Sequence, residues 1–161
     1  VLELFAGLPD YQLFVCGPLH KEKAFVQEFH CELLETENIH PVGWVDINGA
    51  KFKEMLNQCL GIIYPSCAEG GGGSVIDCMR AGVIPVVSYE ASVDVNGNGV
   101  TLKDCSLSEM HKAVTRVSDL PSSELEDMAR ETWQSASSTH SKASFAQKYR
   151  EFVLNVLLQS D

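Results

Sequence analysis

Apolar and polar residues follow two different periods along this chain, and the two periods alternate. Residues 11–17 form a short run rich in β-favouring residues that ends at a Gly-Pro pair, which predicts a strand. Residues 21–34 then repeat apolar side chains at three- and four-residue steps, which predicts a helix. Residues 39–44 predict a second strand, followed by helical spacing through Cys59. This alternation of strand and helix predicts an α/β fold.

The next apolar runs indicate how the strands are arranged. Residues 60–64 are almost continuously apolar, which is typical of a parallel strand covered by helices on both faces. A short helix over residues 74–81 with Gly82 as its carboxyl-terminal cap is expected next, followed by a buried strand from Val83 to Ser88. Right-handed crossovers between such strands give a Rossmann-like, doubly wound parallel sheet flanked by helices.

The two ends of the chain are predicted to be helical. A short strand near Val100 is followed by helical segments from Leu107 and Ser122, and residues 141–161 are expected to form a carboxyl-terminal helix. The opening decapeptide resembles the end of an amphipathic helix with no strand before it. A length of 161 residues suits one compact domain, so we expect a single domain over residues 1–161 with its first strand missing upstream.

Charge and composition narrow the function classes. The formal net charge of -10 at pH 7 argues against nucleic acid as a partner, because that affinity rests on clustered Lys and Arg. No apolar run reaches the length of a transmembrane segment, and the amino terminus lacks the charged start, apolar core and cleavage site of a signal peptide, which predicts a soluble, cytoplasmic chain. The six cysteines lack a CxxC pair and are expected to be reduced thiols. The histidines lie at no recognised metal spacing, so we expect no metal site.

Residues 65–77, which read PSCAEGGGGSVID, combine a carboxylate, a glycine run and a helix start just after the third strand. Ligands of open α/β sheets bind at this carboxyl edge, near the loops that follow Gly17, Trp44, Tyr64 and Ser88. Glycines admit a ligand close to the backbone, and a helix start offers free N–H groups to an anion. Carboxylates accept hydrogen bonds from sugar hydroxyls, and Glu69 and Asp77 can face one pocket. A site that binds sugar hydroxyls beside a phosphate indicates a sugar nucleotide as the ligand.

Other interpretations of these residues stay open on the sequence alone. The Ser74-x-x-Asp77 pattern also fits a helix capping box, and glycine runs also occur as flexible linkers. Trp44 could flank a base pocket, but a tryptophan at a strand end is more often an anchor at the edge of the core. Ser66 and Cys67 lack a nucleophile elbow or a nearby histidine, so they are expected to be wall residues.

The segment PSCAEGGGGSVIDCMRAGVIPVVS resembles the donor-site signature of retaining GT-B glycosyltransferases of the glycogen synthase and sucrose synthase type. Glu69 matches the first glutamate of that signature, and Asp77 occupies the position of the second. Upstream, LFVCG and NIHPVGWVD resemble two further strands of the family in the expected order. The resemblance covers most of the chain. It implies the C-terminal, donor-binding half of a GT-B fold, with the N-terminal acceptor domain missing upstream.

The resemblance also implies roles for individual residues. Glu69 would contact the hydroxyls of the donor sugar, and Asp77, one methylene shorter than Glu, would contact the ribose. The backbone amides of Gly71, Gly72, Gly73 and Ser74 would hold the distal phosphate and the transferred sugar, and Val45 would lie beside the base. Besides Glu69, the residues implied for the donor site are Gly17, Val45, Pro65, Ser66, Gly70, Gly71, Gly72, Gly73, Ser74 and Asp77.

The function implied is transfer of a hexosyl group from a UDP-, GDP- or ADP-sugar to a glycan, lipid or other acceptor. The donor is a nucleotide-diphosphate sugar, and neither a cofactor nor a metal is expected. Acceptor contacts belong to the missing half, and the full-length protein could lie at the inner face of a membrane. The Arg and Lys that form a phosphate clamp in relatives precede this chain, so the isolated chain is expected to be inactive. A degenerate, non-catalytic binding module and a sugar-nucleotide epimerase of the same architecture are the alternatives.

Overall fold

The computed structural model describes residues 1–158, in which short parallel strands alternate with helices. Residues 159–161, the end of the predicted carboxyl-terminal helix, lie outside the described residues. In chain order the elements are α1 (Leu2–Ala6), β1 (Leu13–Cys16), α2 (Lys23–Glu28), α3 (His30–Leu34), β2 (Ile39–Gly43), α4 (Ala50–Leu56), β3 (Gly61–Tyr64), α5 (Gly73–Met79), β4 (Ile84–Ser88), a 3₁₀ turn (Tyr89–Ala91), β5 (Val100–Leu102), α6 (Leu107–Ser118), α7 (Ser122–Thr139) and α8 (Lys142–Leu158).

The strands form two parallel hydrogen-bonded ladders. β1 pairs with β2, with Leu13 opposite Ile39. β3 pairs with β4, with Gly61 opposite Ile84, and β4 pairs in turn with β5. The parallel direction of every pair confirms the predicted α/β class, whereas the hydrogen bonding divides the strands into a pair and a triplet.

Helices cover both faces of the central strand β4, as the doubly wound prediction requires. All residues of β4 are buried, as predicted for residues 83–88. Ile84 and Val86 belong to an apolar cluster with α1 and α6, whereas Val87 packs in a second cluster with residues of α5 and α7. Gly82, with a φ of +81°, follows α5 and allows Val83 N–H to bond to the carbonyl of Cys78, which confirms the predicted cap.

Asn38 connects helix α1 to the sheet through side-chain hydrogen bonds. Its side chain is 6% exposed. The two N–H bonds of its Nδ2 group are shared among three carbonyl oxygens, those of Phe5 at 2.9 Å, Leu8 at 3.0 Å and Tyr11 at 2.7 Å. These carbonyls lie at the end of α1 and in the turn before β1, so a single amide closes the α1–β1 connection onto the start of β2.

Two predicted elements differ from the structure. The helix expected over residues 21–34 is two helices, interrupted at Phe29, whose backbone (φ -103°, ψ 34°) is not helical. Of the two, only α3 contributes a buried side chain, Leu33. Strand β3 was expected to be covered on both faces, but Ile62, Ile63 and Tyr64 are only half-buried.

All six cysteines are free thiols, as predicted, and burial raises the pKa of Cys78 to about 12.

Candidate functional site

The loop after β3 is fixed to the end of β4 by hydrogen bonds. The buried hydroxyl of Ser88 donates to the carbonyl of Ser66 at 2.6 Å. Farther along, Glu69 N–H donates to the carbonyl of Glu90 at 3.1 Å, and Gly72 N–H donates to that of Ala91 at 3.1 Å. The loop therefore has a defined path at the carboxyl edge of the sheet, where open α/β folds bind ligands.

The four glycines of this loop divide into a packed position and open positions. Gly72 is buried, and a Cβ there would lie 2.9 Å from the Val93 Cγ2 atom, so a larger residue would not fit. At Gly70, Gly71 and Gly73 a Cβ would meet nothing within 4 Å. Gly71 also has a φ of +124°, which strains any other residue. One side of the loop packs on the protein, and the other leaves its backbone accessible.

Helix α5 begins without a side-chain cap. Its N-cap residue is Gly72, and no side chain there accepts a hydrogen bond from the first turn. Ser74 lies inside the helix and not before it, so the capping-box interpretation of Ser74 and Asp77 is wrong. The first N–H groups of an α-helix have no partner within the helix. At this helix, Gly72 N–H donates to the Ala91 carbonyl and Val75 N–H donates to the Gly72 carbonyl at 2.9 Å. The N–H groups that can bind an anion here, together with the open glycines, are therefore those of Gly73 and Ser74.

Glu69 is held in place by Tyr64, the last residue of β3. The Tyr64 hydroxyl donates to Glu69 Oε1 at 2.5 Å. This hydrogen bond, followed by burial and the charge of Glu69, raises the pKa of Tyr64, while the Ser74 hydroxyl acts in the opposite direction. Sequence analysis did not identify Tyr64. Its position at the carboxyl end of the strand before the loop was the available signal.

Replacing Glu69 with glutamine is expected to lower the pKa of Tyr64. A neutral amide accepts a weaker hydrogen bond and adds no negative charge that opposes ionisation of the phenol. The measurement is a tyrosinate absorbance titration of the native chain and Glu69→Gln, each compared with its Tyr64→Phe counterpart to isolate this one phenol. An unchanged Tyr64 titration would show that the two side chains do not interact in solution.

The other predicted site residues lie in the loops after β1, β2 and β3 and on helix α5. Gly17 N–H donates to the carbonyl of Gly43 at 3.0 Å, which joins the start of the loop after β1 to the last residue of β2. Val45 lies two residues after Gly43 and is half-buried. Asp77 lies on α5 and is half-buried, and within residues 1–158 no hydrogen bond joins it to Glu69.

Trp44 is not the core-edge anchor that the sequence indicated. Its side chain is 73% exposed. The preceding Gly43 has a φ of +79°, a left-handed backbone that turns the chain at the end of β2 and leaves the indole outside the core.

Two further features lie apart from the glycine loop. A cavity of about 650 Å³ lies between α5 and the start of α8, lined by residues that include Ile76, His140 and Tyr149. On α3 and its carboxyl end, His30, Cys31 and Glu35 have ligand atoms within 4.8 Å of one another, although their spacing had not suggested a metal site. All three are exposed, and His30 Nδ1 lies 3.4 Å from Glu35 Oε1.

Comparison with known proteins gives structural matches only. No protein-family model and no curated protein sequence matches the chain. The crystal structure of HepE from Anabaena in complex with UDP and glucose matches with a TM-score of 0.73 and 16% identity, over 96% of this chain and 44% of that one. The crystal structure of WaaG, a glycosyltransferase involved in lipopolysaccharide biosynthesis, matches with a TM-score of 0.61 and 17% identity, over 85% of this chain and 38% of that one.

These matches confirm the predicted fold, a Rossmann-like α/β half of a GT-B fold. The chain spans less than half the length of the two structures it resembles. Among residues 1–158, no helix combines the length and apolar character needed to cross a membrane.

Proposed function

We propose that this chain is the donor-binding half of a retaining glycosyltransferase that transfers a hexosyl group from a UDP-, GDP- or ADP-sugar to a glycan, lipid or other acceptor. The observation that carries the proposal is the loop after β3, which presents open glycine backbone beside a fixed carboxylate at the carboxyl edge of the sheet. The proposal is also supported by the similarity in fold to WaaG, a glycosyltransferase.

Phosphate binding is assigned to the backbone of the glycine run. The open positions Gly70, Gly71 and Gly73 let phosphate oxygens approach main-chain N–H groups without steric conflict. The uncapped start of α5 adds further N–H donors in the same place. These N–H groups suit the negative charge of a diphosphate. The net charge of -10 on the chain would otherwise repel that ligand.

Sugar recognition is assigned to Glu69. A carboxylate accepts hydrogen bonds from two or more hydroxyls, which a hexose offers and a phosphate does not. Because Tyr64 already fixes one carboxylate oxygen, Glu69 loses less rotamer freedom when the sugar binds. Asp77 is assigned to the ribose hydroxyls. Gly17, Val45, Pro65 and Ser66 complete the wall of the donor site.

The catalytic step needs groups that this loop does not hold. Residues 65–77 contain no Lys or Arg, so backbone dipoles are the only positive groups that the loop itself offers to a departing diphosphate. A cationic clamp and an acceptor site outside these 161 residues would complete the enzyme. Without them, a Kd toward the millimolar range is expected, roughly -4 kcal/mol of binding free energy.

The proposal is tested by calorimetric titration of the chain with UDP, GDP and ADP, alone and as their hexose conjugates. Binding of at least one conjugate, lost in Glu69→Ala and in Asp77→Ala, is the expected result. The variant Glu126→Ala, at an exposed position on α7, is the matched control and should bind as the native chain does. No heat of binding for any of these ligands at millimolar concentration would reject the proposal.

A further inference from the structure

His30, Cys31 and Glu35 place three different metal-ligating groups at one point on the surface. An imidazole, a thiol and a carboxylate each offer one ligand atom there, and the three atoms lie within 4.8 Å of one another. All three side chains are exposed, so an ion can reach them from solvent. Glu35 lies just before β2, at the amino edge of the sheet, whereas the glycine loop lies at the carboxyl edge. The cluster is therefore separate from the donor site.

The three ligands meet at the two ends of helix α3. The helix begins anew at His30, because the backbone of Phe29 (φ -103°, ψ 34°) is not helical. It is five residues long, and Glu35 is its C-cap residue. Surface neighbours on a regular helix are three or four residues apart, so a contact between side chains five residues apart is not one that a regular helix provides. The break before α3 and its early end accompany this contact.

The backbone that carries the ligands is already fixed. The carbonyl of Cys31 accepts hydrogen bonds from Glu35 N–H at 3.0 Å and from the Thr36 hydroxyl at 3.1 Å. Leu33, between the ligands in sequence, is 1% exposed and packs in the same apolar cluster as Ile39 of β2. Because this segment does not have to fold around an ion, less conformational entropy is lost on binding.

The distances suit a tetrahedral ion. Zinc bonds of about 2.0–2.2 Å to nitrogen and oxygen, and of about 2.3 Å to sulfur, place N and O ligands about 3.4 Å apart and sulfur about 3.6 Å from each. His30 Nδ1 and Glu35 Oε1 lie 3.4 Å apart. The Cys31 sulfur, within 4.8 Å of the other ligand atoms, has to approach them by about 1 Å or less. Small torsional changes of exposed side chains supply such a movement.

The ligand types select the ion. Thiolate and imidazole ligands suit Zn²⁺, whereas Mg²⁺ and Ca²⁺ take oxygen ligands. Three protein ligands leave the fourth tetrahedral position to water, as in open zinc sites. We propose that His30, Cys31 and Glu35 form a binding site for Zn²⁺ that joins the two ends of α3, with a water molecule as the fourth ligand.

The charge around the cluster favours a cation. Residues 24–50 contain five Asp and Glu residues and no Lys or Arg. The charge of Glu35, followed by desolvation, a hydrogen bond to Glu35 and the charge of Glu32, raises the pKa of the Cys31 thiol. When Zn²⁺ binds, the thiol proton passes to solvent and a Zn–S bond forms with no change of oxidation state. The ion then lies between thiolate and carboxylate, which would otherwise repel each other.

The experiment titrates the chain with ZnCl₂ by calorimetry and with CoCl₂ by absorption spectroscopy, both in a non-thiol reductant. Co²⁺ accepts the same ligands, and a cobalt–thiolate bond gives a charge-transfer band in the near ultraviolet that reports sulfur ligation. The variants that each remove one ligand are His30→Gln, Cys31→Ser and Glu35→Gln. The matched controls, at exposed positions elsewhere, are His111→Gln, Cys16→Ser and Glu126→Gln.

The native chain is expected to bind Zn²⁺ and to show the cobalt–thiolate band. Each ligand variant should bind at least about tenfold more weakly, whereas the controls should bind as the native chain does. Zinc should also raise the thermal midpoint of the native chain but not that of Cys31→Ser. Because the three side chains are exposed, the metal-free variants should unfold at the native temperature, which separates loss of the metal from loss of the fold.

Three results would overturn the proposal. The first is the absence of a cobalt–thiolate band from the native chain at millimolar Co²⁺. The second is unchanged zinc affinity in Cys31→Ser, which would leave His30 and Glu35 as an ordinary ion pair. The third is zinc binding that light scattering finds only in a dimer, which would indicate a site between two copies. None of these measurements involves a nucleotide, so they are independent of the proposed donor site.

Discussion

Replacing Glu69 with alanine is expected to remove most of the affinity that a hexose adds to a nucleoside diphosphate. Hydrogen bonds to charged groups contribute about 1.5–3 kcal/mol each, which corresponds to roughly tenfold to a hundredfold in Kd. Binding of the nucleoside diphosphate itself should change little, because the proposal assigns the phosphates to backbone N–H groups. The measurement is a pair of calorimetric titrations, one with UDP and one with UDP-glucose, repeated with the GDP and ADP counterparts.

Tyr64→Phe is the informative companion of this variant. It leaves the Glu69 carboxylate present but removes the hydroxyl that fixes it, so a smaller loss of sugar affinity is expected. If Glu69→Ala weakens UDP and UDP-glucose by the same factor, the carboxylate does not contact the sugar. The assigned role of Glu69 would then be wrong.

The second large effect is expected at Asn38, far from the donor loop. Asn38→Ala leaves the carbonyls of Phe5, Leu8 and Tyr11 without their buried donor. The carbonyls of Phe5 and Leu8 keep backbone donors, the N–H groups of Leu8 and Tyr11, so in the described part of the chain the Tyr11 carbonyl is the acceptor that loses its partner. One unsatisfied buried polar group costs about 1–3 kcal/mol, so a loss on the order of 2 kcal/mol in the free energy of unfolding is expected. Chemical denaturation monitored by circular dichroism measures it.

The control for Asn38 is Asn155→Ala, which removes the same amide from an exposed position on α8. That variant should lie within about 0.5 kcal/mol of the native chain, as is usual for surface substitutions. A midpoint for Asn38→Ala indistinguishable from that of Asn155→Ala would show that the three hydrogen bonds do not hold the α1–β1 connection.

Much of the fold follows from the local pattern of apolar residues and glycines in the sequence. The run of buried residues in β4 and the left-handed Gly82 were both predictable, because continuous apolar character and a glycine after a helix each have one dominant structural cause. The half-burial of β1 and β3 was not predictable. A hydrophobic pattern indicates that a strand can be buried, but it does not say which neighbour covers it.

The candidate site shows the same division. The glycine run and the carboxylate of Glu69 were identified from sequence, because their chemistry depends on residue type and spacing. The contact between Tyr64 and Glu69 depends on the path of the loop between them, which pattern does not give. The exposure of Trp44 and the capping of α5 by Gly72 likewise depend on backbone dihedral angles at glycines.

The central claim is that the loop after β3 binds the diphosphate of a sugar nucleotide. The most direct measurement is an NMR titration of the labelled chain with UDP, GDP and ADP, following each backbone amide. The account predicts that the largest shifts occur at Gly70 to Ser74 for at least one nucleotide, with smaller shifts at Gly17 and Val45. Shifts confined to the cavity lined by Ile76, His140 and Tyr149, or no shifts at millimolar nucleotide, would contradict it.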